Sequence, residues 1–244
     1  MGEEFYSLAF LENEGLGTIY EYMAKYEILK RFVNWGSINK ILIAGLPERY
    51  GYSLDFVYLS FLNNFYCEVV DERSDKLDEF KYRVGNSFLG KKKLITRCLD
   101  LKRIEDFYNK NEFDLVLSCE VIQRIQEDQR SEYLKSLKQI SKMVVLFMPN
   151  GDNSQHTYHS GLKVINKEQI ISIMKDAGIA SGYYCGYVDM PPWPPGIKNN
   201  SRDIMLNTKK WYFVFLVLRL LYHYEFLLPS GFVSRFAHLI YVAT

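Results

Sequence analysis

Between residues 38 and 150 the chain alternates short apolar runs with stretches whose apolar positions recur at helical spacing. The runs "KILIAGL" (40–46), "FYCEVVD" (65–71), "KLITRCLD" (93–100), "FDLVLSC" (113–119) and "MVVLFMPN" (143–150) predict strands. Between them, "LDFVYLSFLNN" (54–64), "KLDEFKYRVG" (76–85), "LKRIEDFYN" (101–109) and "QRSEYLKSLKQIS" (129–141) predict helices. Strands that are apolar along their length, each followed by a helix, predict a mostly parallel sheet covered on both faces.

The flanks have another texture. Residues 8–34 carry helical periodicity interrupted by Gly15 and Gly17, so two helices precede a turn at Asn34–Ser37. Residues 1–37 thus form a helical cap ahead of an α/β domain spanning 38–244. Further on, "NKEQIISIMKDAGI" (166–179) is a helix with an Asn cap and a terminal glycine, and "SGYYCGYVDM" (181–190) is a strand. The four prolines of "PPWPPG" (191–196) remove four backbone donors and exclude regular structure. An apolar segment inserted at about 190–231 contains "WYFVFLVLRLLYHYEFLL" (211–228), and "RFAHLIYVAT" (235–244) closes as an antiparallel strand. The expected architecture is a Rossmann-like, seven-stranded, mostly parallel sheet with an antiparallel last strand, helices on both faces and an N-terminal helical cap.

Composition narrows the classes. At 48% hydrophobic and 16% aromatic, 244 residues bury a sizeable core. Thirty basic against 29 acidic residues give a net charge of +1, which argues against nucleic acid as a partner. The basic run "GKKKLITR" (90–97) reads as a solvated face. Four scattered cysteines without a C-x-x-C pair form no zinc framework, and the acidic N-terminus lacks the bases of a signal peptide. A reduced, cytoplasmic protein is expected.

In open parallel sheets, ligands bind at the C-terminal tips of the strands. Gly45, Leu46 and Gly51 follow the first strand, Asp71 ends the second, Asp100 the third, and Ser118, Cys119 and Glu120 the fourth. Asp71 stands 26 positions after Gly45, a spacing suited to an acid that accepts ribose hydroxyls, as any solvated strand-end acid would also stand.

With these stretches in view, "KILIAGL", "CEVVDERSDKL", "CLDL" and "EFDLVLSCEVIQRI" together resemble class I S-adenosylmethionine-dependent methyltransferases over roughly residues 38–188 and the last ten. The resemblance implies S-adenosylmethionine as cofactor. It places Gly45, Leu46 and the loop to Gly51 beneath the methionine part, Asp71 on the ribose, and Asp100 with the Leu101 backbone on the adenine amino group. Ser118, Cys119 and Glu120 would line the floor under the methionine and sulfonium end. Two features depart from the family's pattern: "AGLPERYG" replaces the usual glycine-rich loop, and Arg124-Ile125 replaces a His-Ile pair.

His156, Tyr158 and His159 follow the fifth strand and are the candidate acceptor-side catalytic residues; two histidines without a third ligand predict no metal site. The 211–228 run suits a lid over an apolar acceptor, a homodimer face or peripheral contact with a membrane; it is short for a span and carries Arg219. Tyr183, Tyr184, Tyr187 and Trp193 suggest an aromatic-lined acceptor pocket. The activity expected is methyl transfer to a small, apolar or aromatic acceptor. Two alternatives stand beside it: a non-catalytic binding protein on the same fold using 211–228 as its partner surface, and a nicotinamide-dependent oxidoreductase. The missing G-x-G-x-x-G speaks against the latter.

Overall fold

A computed structural model describes residues 2–49, 51–87, 89, 94–190, 208–225 and 227–244. Trp193, the proline-rich 191–196 connector and Lys91–Lys93 of the basic run lie outside the described residues.

Seven strands form one sheet in the order β3-β2-β1-β4-β5-β7-β6. They are β1 (Lys40–Ala44), β2 (Tyr66–Asp71), β3 (Ile95–Cys98), β4 (Phe113–Cys119), β5 (Ser141–Pro149), β6 (Tyr184–Val188) and β7 (Leu239–Ala243). The first five pair in parallel, and β7 runs antiparallel to both β5 and β6. The expected α/β architecture is the one observed. Strand order reverses between β1 and β4, so a crevice opens where the tips of β1, β2 and β4 meet.

The helices are α1 (Gly2–Leu11), α2 (Leu16–Phe32), α3 (Leu54–Leu62), α4 (Ser74–Gly85), α5 (Arg130–Ile140), α6 (Ser154–Ser160), α7 (Lys167–Asp176), α8 (Thr208–Glu225) and α9 (Ser230–Phe236). Asn166 closes a capping box with Gln169 at the start of α7. The segment 101–109 shortens to a 3₁₀ turn, Leu101–Asp106, because Asp100 caps it by accepting from Lys102 N at 3.0 Å and Arg103 breaks the helical dihedrals. Helix α6 forms in the stretch after β5 that carries the candidate histidines, with the Asn153 side chain capping it by accepting from His156 N.

Two apolar layers lie on either side of the sheet. One joins Leu42, Val70, Val116 and Val144 to Leu134 and Leu137 of α5 and to Ile170 and Met174 of α7. The other joins Ile41, Ile43, Leu115, Leu117 and Val145 to α3 and α4, and also to Phe5, Leu8, Ile19, Tyr20, Met23 and Ile28 of α1 and α2. The N-terminal helices therefore share the core of the sheet. Helix α8 packs Leu218 and Tyr222 into that same layer and contacts α1 and α2, while Phe213, Leu220 and Tyr224 stay exposed. No described helix is long and apolar enough to cross a membrane.

Candidate functional site

At the tip of β2, Asp71 is wholly buried, and its carboxylate oxygens are crowded with donors. Leu46 N (2.7 Å) donates to Oδ2, Arg73 N (2.9 Å) and Nε (2.8 Å) to Oδ1, and guanidinium N–H groups of Arg73 (2.9 Å) and Arg124 (3.0 Å) to Oδ2. Burial alone would raise this carboxyl; the Arg73 hydrogen bonds and the Arg124 charge outweigh it and hold the pKa below the usual value. Arg124 also pairs with Glu72 and so bridges the turn after β4 to the tip of β2.

Gly45 has φ +85°, a conformation open to glycine, and its N donates to Val70 O at 2.8 Å. A Cβ there would come within 2.9 Å of both Val121 methyls and 3.0 Å of Leu101 Cδ1. Asp100 is exposed and occupied as a cap, while Leu101 is buried beside Gly45.

The tip of β4 divides its residues between the two faces. Ser118 lies under α5, hydrogen-bonded to Tyr133 OH (3.0 Å), which donates in turn to Ala44 O (3.0 Å). Cys119 points to the opposite face, as strand alternation requires. Glu120 would return to the Ser118 face but has φ +54°, which turns it instead to the Cys119 side.

There, beneath the N-terminal helices, is a cavity of about 30 Å³ bounded by Glu12, Glu14, Glu21, Lys25, Ser53, Cys119 and Glu120, with Thr18, Pro47, Gly51 and Tyr22 completing the wall. Lys25, 2% exposed, is paired with Glu21 (2.8 Å) and Asp55 (3.0 Å), and its Nζ lies 3.8 Å from Cys119 Sγ. The Glu12 carboxylate accepts from Tyr22 OH, Tyr52 N (2.8 Å) and Leu54 N (3.0 Å). It thereby supplies the cap that Ser53, at φ +55°, does not give α3. Burial pushes the Glu12 carboxyl up to about 7 and the Glu120 carboxyl up to about 8. Glu120 lines this cavity, and Asp71 and Asp100 do not.

On α6, the His156 ring stacks on that of His238 at 4.0 Å, and His238 Nδ1 lies 3.2 Å from buried Asp189. Tyr158 is 85% exposed, and the His159 side chain lies outside the described residues. Neither His156 nor Tyr158 lines the cavity. Tyr184 is exposed on the edge strand β6, and Tyr187 OH donates to Asp152 at 2.8 Å, so these tyrosines do not form the cavity wall either. Glu12, Lys25, Ser53 and Asp55 went unpredicted as site residues. The available signal was a lone charge on an apolar helix face, Lys25 between Tyr22 and Ile28 and Asp55 within "LDFVYLSFL".

Solved structures of S-adenosylmethionine-dependent methyltransferases resemble this fold. One is a SAM-dependent methyltransferase from Archaeoglobus fulgidus: TM-score 0.54, 12% identity, covering 89% of this chain and 90% of that one. Another is geranyl diphosphate C-methyltransferase from Streptomyces coelicolor A3(2), solved with Mg²⁺, geranyl diphosphate and S-adenosyl-L-homocysteine: TM-score 0.53, 10% identity, covering 90% and 78%. This chain has the class I methyltransferase fold. The [4+2]-cyclase SpnF, at TM-score 0.51 and 11% identity over 89% and 78% of the two chains, has a related fold and a different named reaction. No protein-family model and no curated protein matches the sequence.

The strand tips suit S-adenosylmethionine in chemistry, and protein groups stand where it would bind. The Asp71 oxygens are occupied, Arg124 covering one side, and Glu12 holds the amides after the 45–51 loop. The chemistry at Asp71 is nevertheless apt, since a carboxylate that accepts a guanidinium fork can accept the two hydroxyls of a vicinal diol.

Proposed function

We propose that this chain is an S-adenosylmethionine-dependent methyltransferase of a small acceptor, one whose nucleoside position is closed by Arg124. The observation that carries this reading is Asp71: a buried, ionised carboxylate at the tip of β2, beside a left-handed Gly45, at the point where strand order reverses. The methyltransferase fold supports the same reading. Arg124 belongs to a short 3₁₀ turn, Ile122–Arg124, and its departure would free one side of Asp71 while Arg73 and Leu46 N keep the carboxylate ionised. With the cofactor bound, Asp71 would accept its ribose hydroxyls and the Leu101 backbone would meet its base, once Arg124 leaves one side of Asp71. The cofactor, when bound, supplies an electrophilic methyl group. No step is assigned to His156 or Tyr158, which lie apart from the cavity.

Calorimetric titration with S-adenosylhomocysteine, S-adenosylmethionine and NADH tests the proposal. The first two alone should bind, and Arg124→Ala should bind S-adenosylhomocysteine at least tenfold more tightly than the parent. Absence of binding by both proteins would overturn it. A second reading then takes its place, a binding protein on this fold, and the full donor set around Asp71 is the observation that favours it.

A further inference from the structure

We propose that the cavity beneath the N-terminal helices is a binding site for a small organic amine, taken up as its cation and without an adjoining carboxylate. Four glutamates line it, at 12, 14, 21 and 120, together with one cation, Lys25. That cation is already held by Glu21 and Asp55. Two polar atoms of the lining are buried without a partner: Glu120 Oε2, on a residue 8% exposed, and Ser53 Oγ, on a residue 3% exposed. Buried polar groups in native proteins are overwhelmingly partnered; an unpaired carboxyl oxygen and an unpaired hydroxyl in one lining ask for a donor, and a donor that carries positive charge would also offset the burial that disfavours the ionised Glu120. An ammonium head group supplies several N–H donors on a compact cation. A volume of about 30 Å³ is more than one water needs and takes a compact head group, with the short chain of the amine left toward the open side.

Two observations select among cations. Among the described residues no three His, Cys, Asp or Glu side chains are placed to share a metal ion, which favours an organic cation. The backbone amides at the start of α3, where a ligand carboxylate would dock, are taken by Glu12. An amino-acid zwitterion would bring its carboxylate against that glutamate. A plain amine meets no such charge. Should the methyltransferase reading hold, an amine is the class of acceptor; that clause alone rests on that reading, and the binding site does not.

The test is ligand-observed NMR on the full chain with propylamine, 1-propanol, 2-aminobutyrate and Mg²⁺, alongside a separate S-adenosylhomocysteine titration. Propylamine should bind at least tenfold more tightly than 1-propanol or 2-aminobutyrate. Glu120→Gln should cut propylamine affinity at least tenfold while leaving 1-propanol binding unchanged, and Ser53→Ala should weaken propylamine severalfold. Equal affinity for amine and alcohol, preference for Mg²⁺ or the zwitterion, or undiminished amine affinity in both variants would overturn the proposal. Amine preference without S-adenosylhomocysteine binding would sink the methyltransferase reading and leave this site standing; the converse result would do the reverse.

Discussion

Asp71 and Glu120 are both buried acids at the tips of neighbouring parts of one sheet, and their surroundings drive them apart. Asp71 is met by two guanidinium groups and two backbone amides, and it stays ionised. Glu120 is buried, with other acids and a lysine already engaged around it, and burial first and then those acids raise its carboxyl to about 8. A saturated carboxylate stabilises its own fold; an unsatisfied one costs stability until something external pairs with it. The contrast moves attention from the tip of β2, where family resemblance points, to the tip of β4.

The largest expected effect sharpens that contrast from the Asp71 side. Asp71→Ala removes the acceptor shared by the Leu46 amide, Arg73 and Arg124, leaving Arg73 only carbonyls and Arg124 only Glu72, and should cost about 3–5 kcal/mol in chemical denaturation. Glu120→Gln should do the opposite. Its folded pKa lies above the ordinary carboxylate value of 4.5, so the folded state holds the proton more tightly and wild-type stability falls as pH rises from about 4.5 towards 8. Glu12, Glu14, Glu21, Cys119 and Lys25 face the same cavity, and the like charges act in the same direction. The variant should therefore be roughly 2–4 kcal/mol more stable than the parent at pH 9 and nearly equal to it at pH 4. Matching melting curves at both pH values would break the comparison.

Smaller effects follow. Glu12→Ala removes the cap of α3 and should cost about 1–2 kcal/mol, read as a lowered melting temperature at pH 6. Arg124→Ala removes one of the Asp71 partners and should cost about 1 kcal/mol, with most of the loss appearing above pH 4. The sign follows from Asp71: its folded pKa is depressed, so its stabilisation is present above the ordinary value of 3.8 and fades as pH falls. A loss unchanged at pH 3 would show that Arg124 acts through packing.

Much of the fold was legible along the chain because burial on both faces writes continuous apolar strands, and the Asn166 cap marks its own helix. Helix α6 was not legible, since "SQHTYHS" has no apolar face and depends on the Asn153 cap. The site was legible only in part. Gly45 and Asp71 stood out by position, yet nothing local told that Arg73 and Arg124 would take the acid.

The sequence by itself determined the strands, their mostly parallel arrangement and the acids placed at their tips, because periodicity and chain order are local properties. Only the tertiary structure decided which acid is paired and which is left alone. That outcome depends on Lys25, Asp55 and Glu12 arriving from distant segments, and on one left-handed residue, Glu120, that turns a carboxylate to the other face of the sheet.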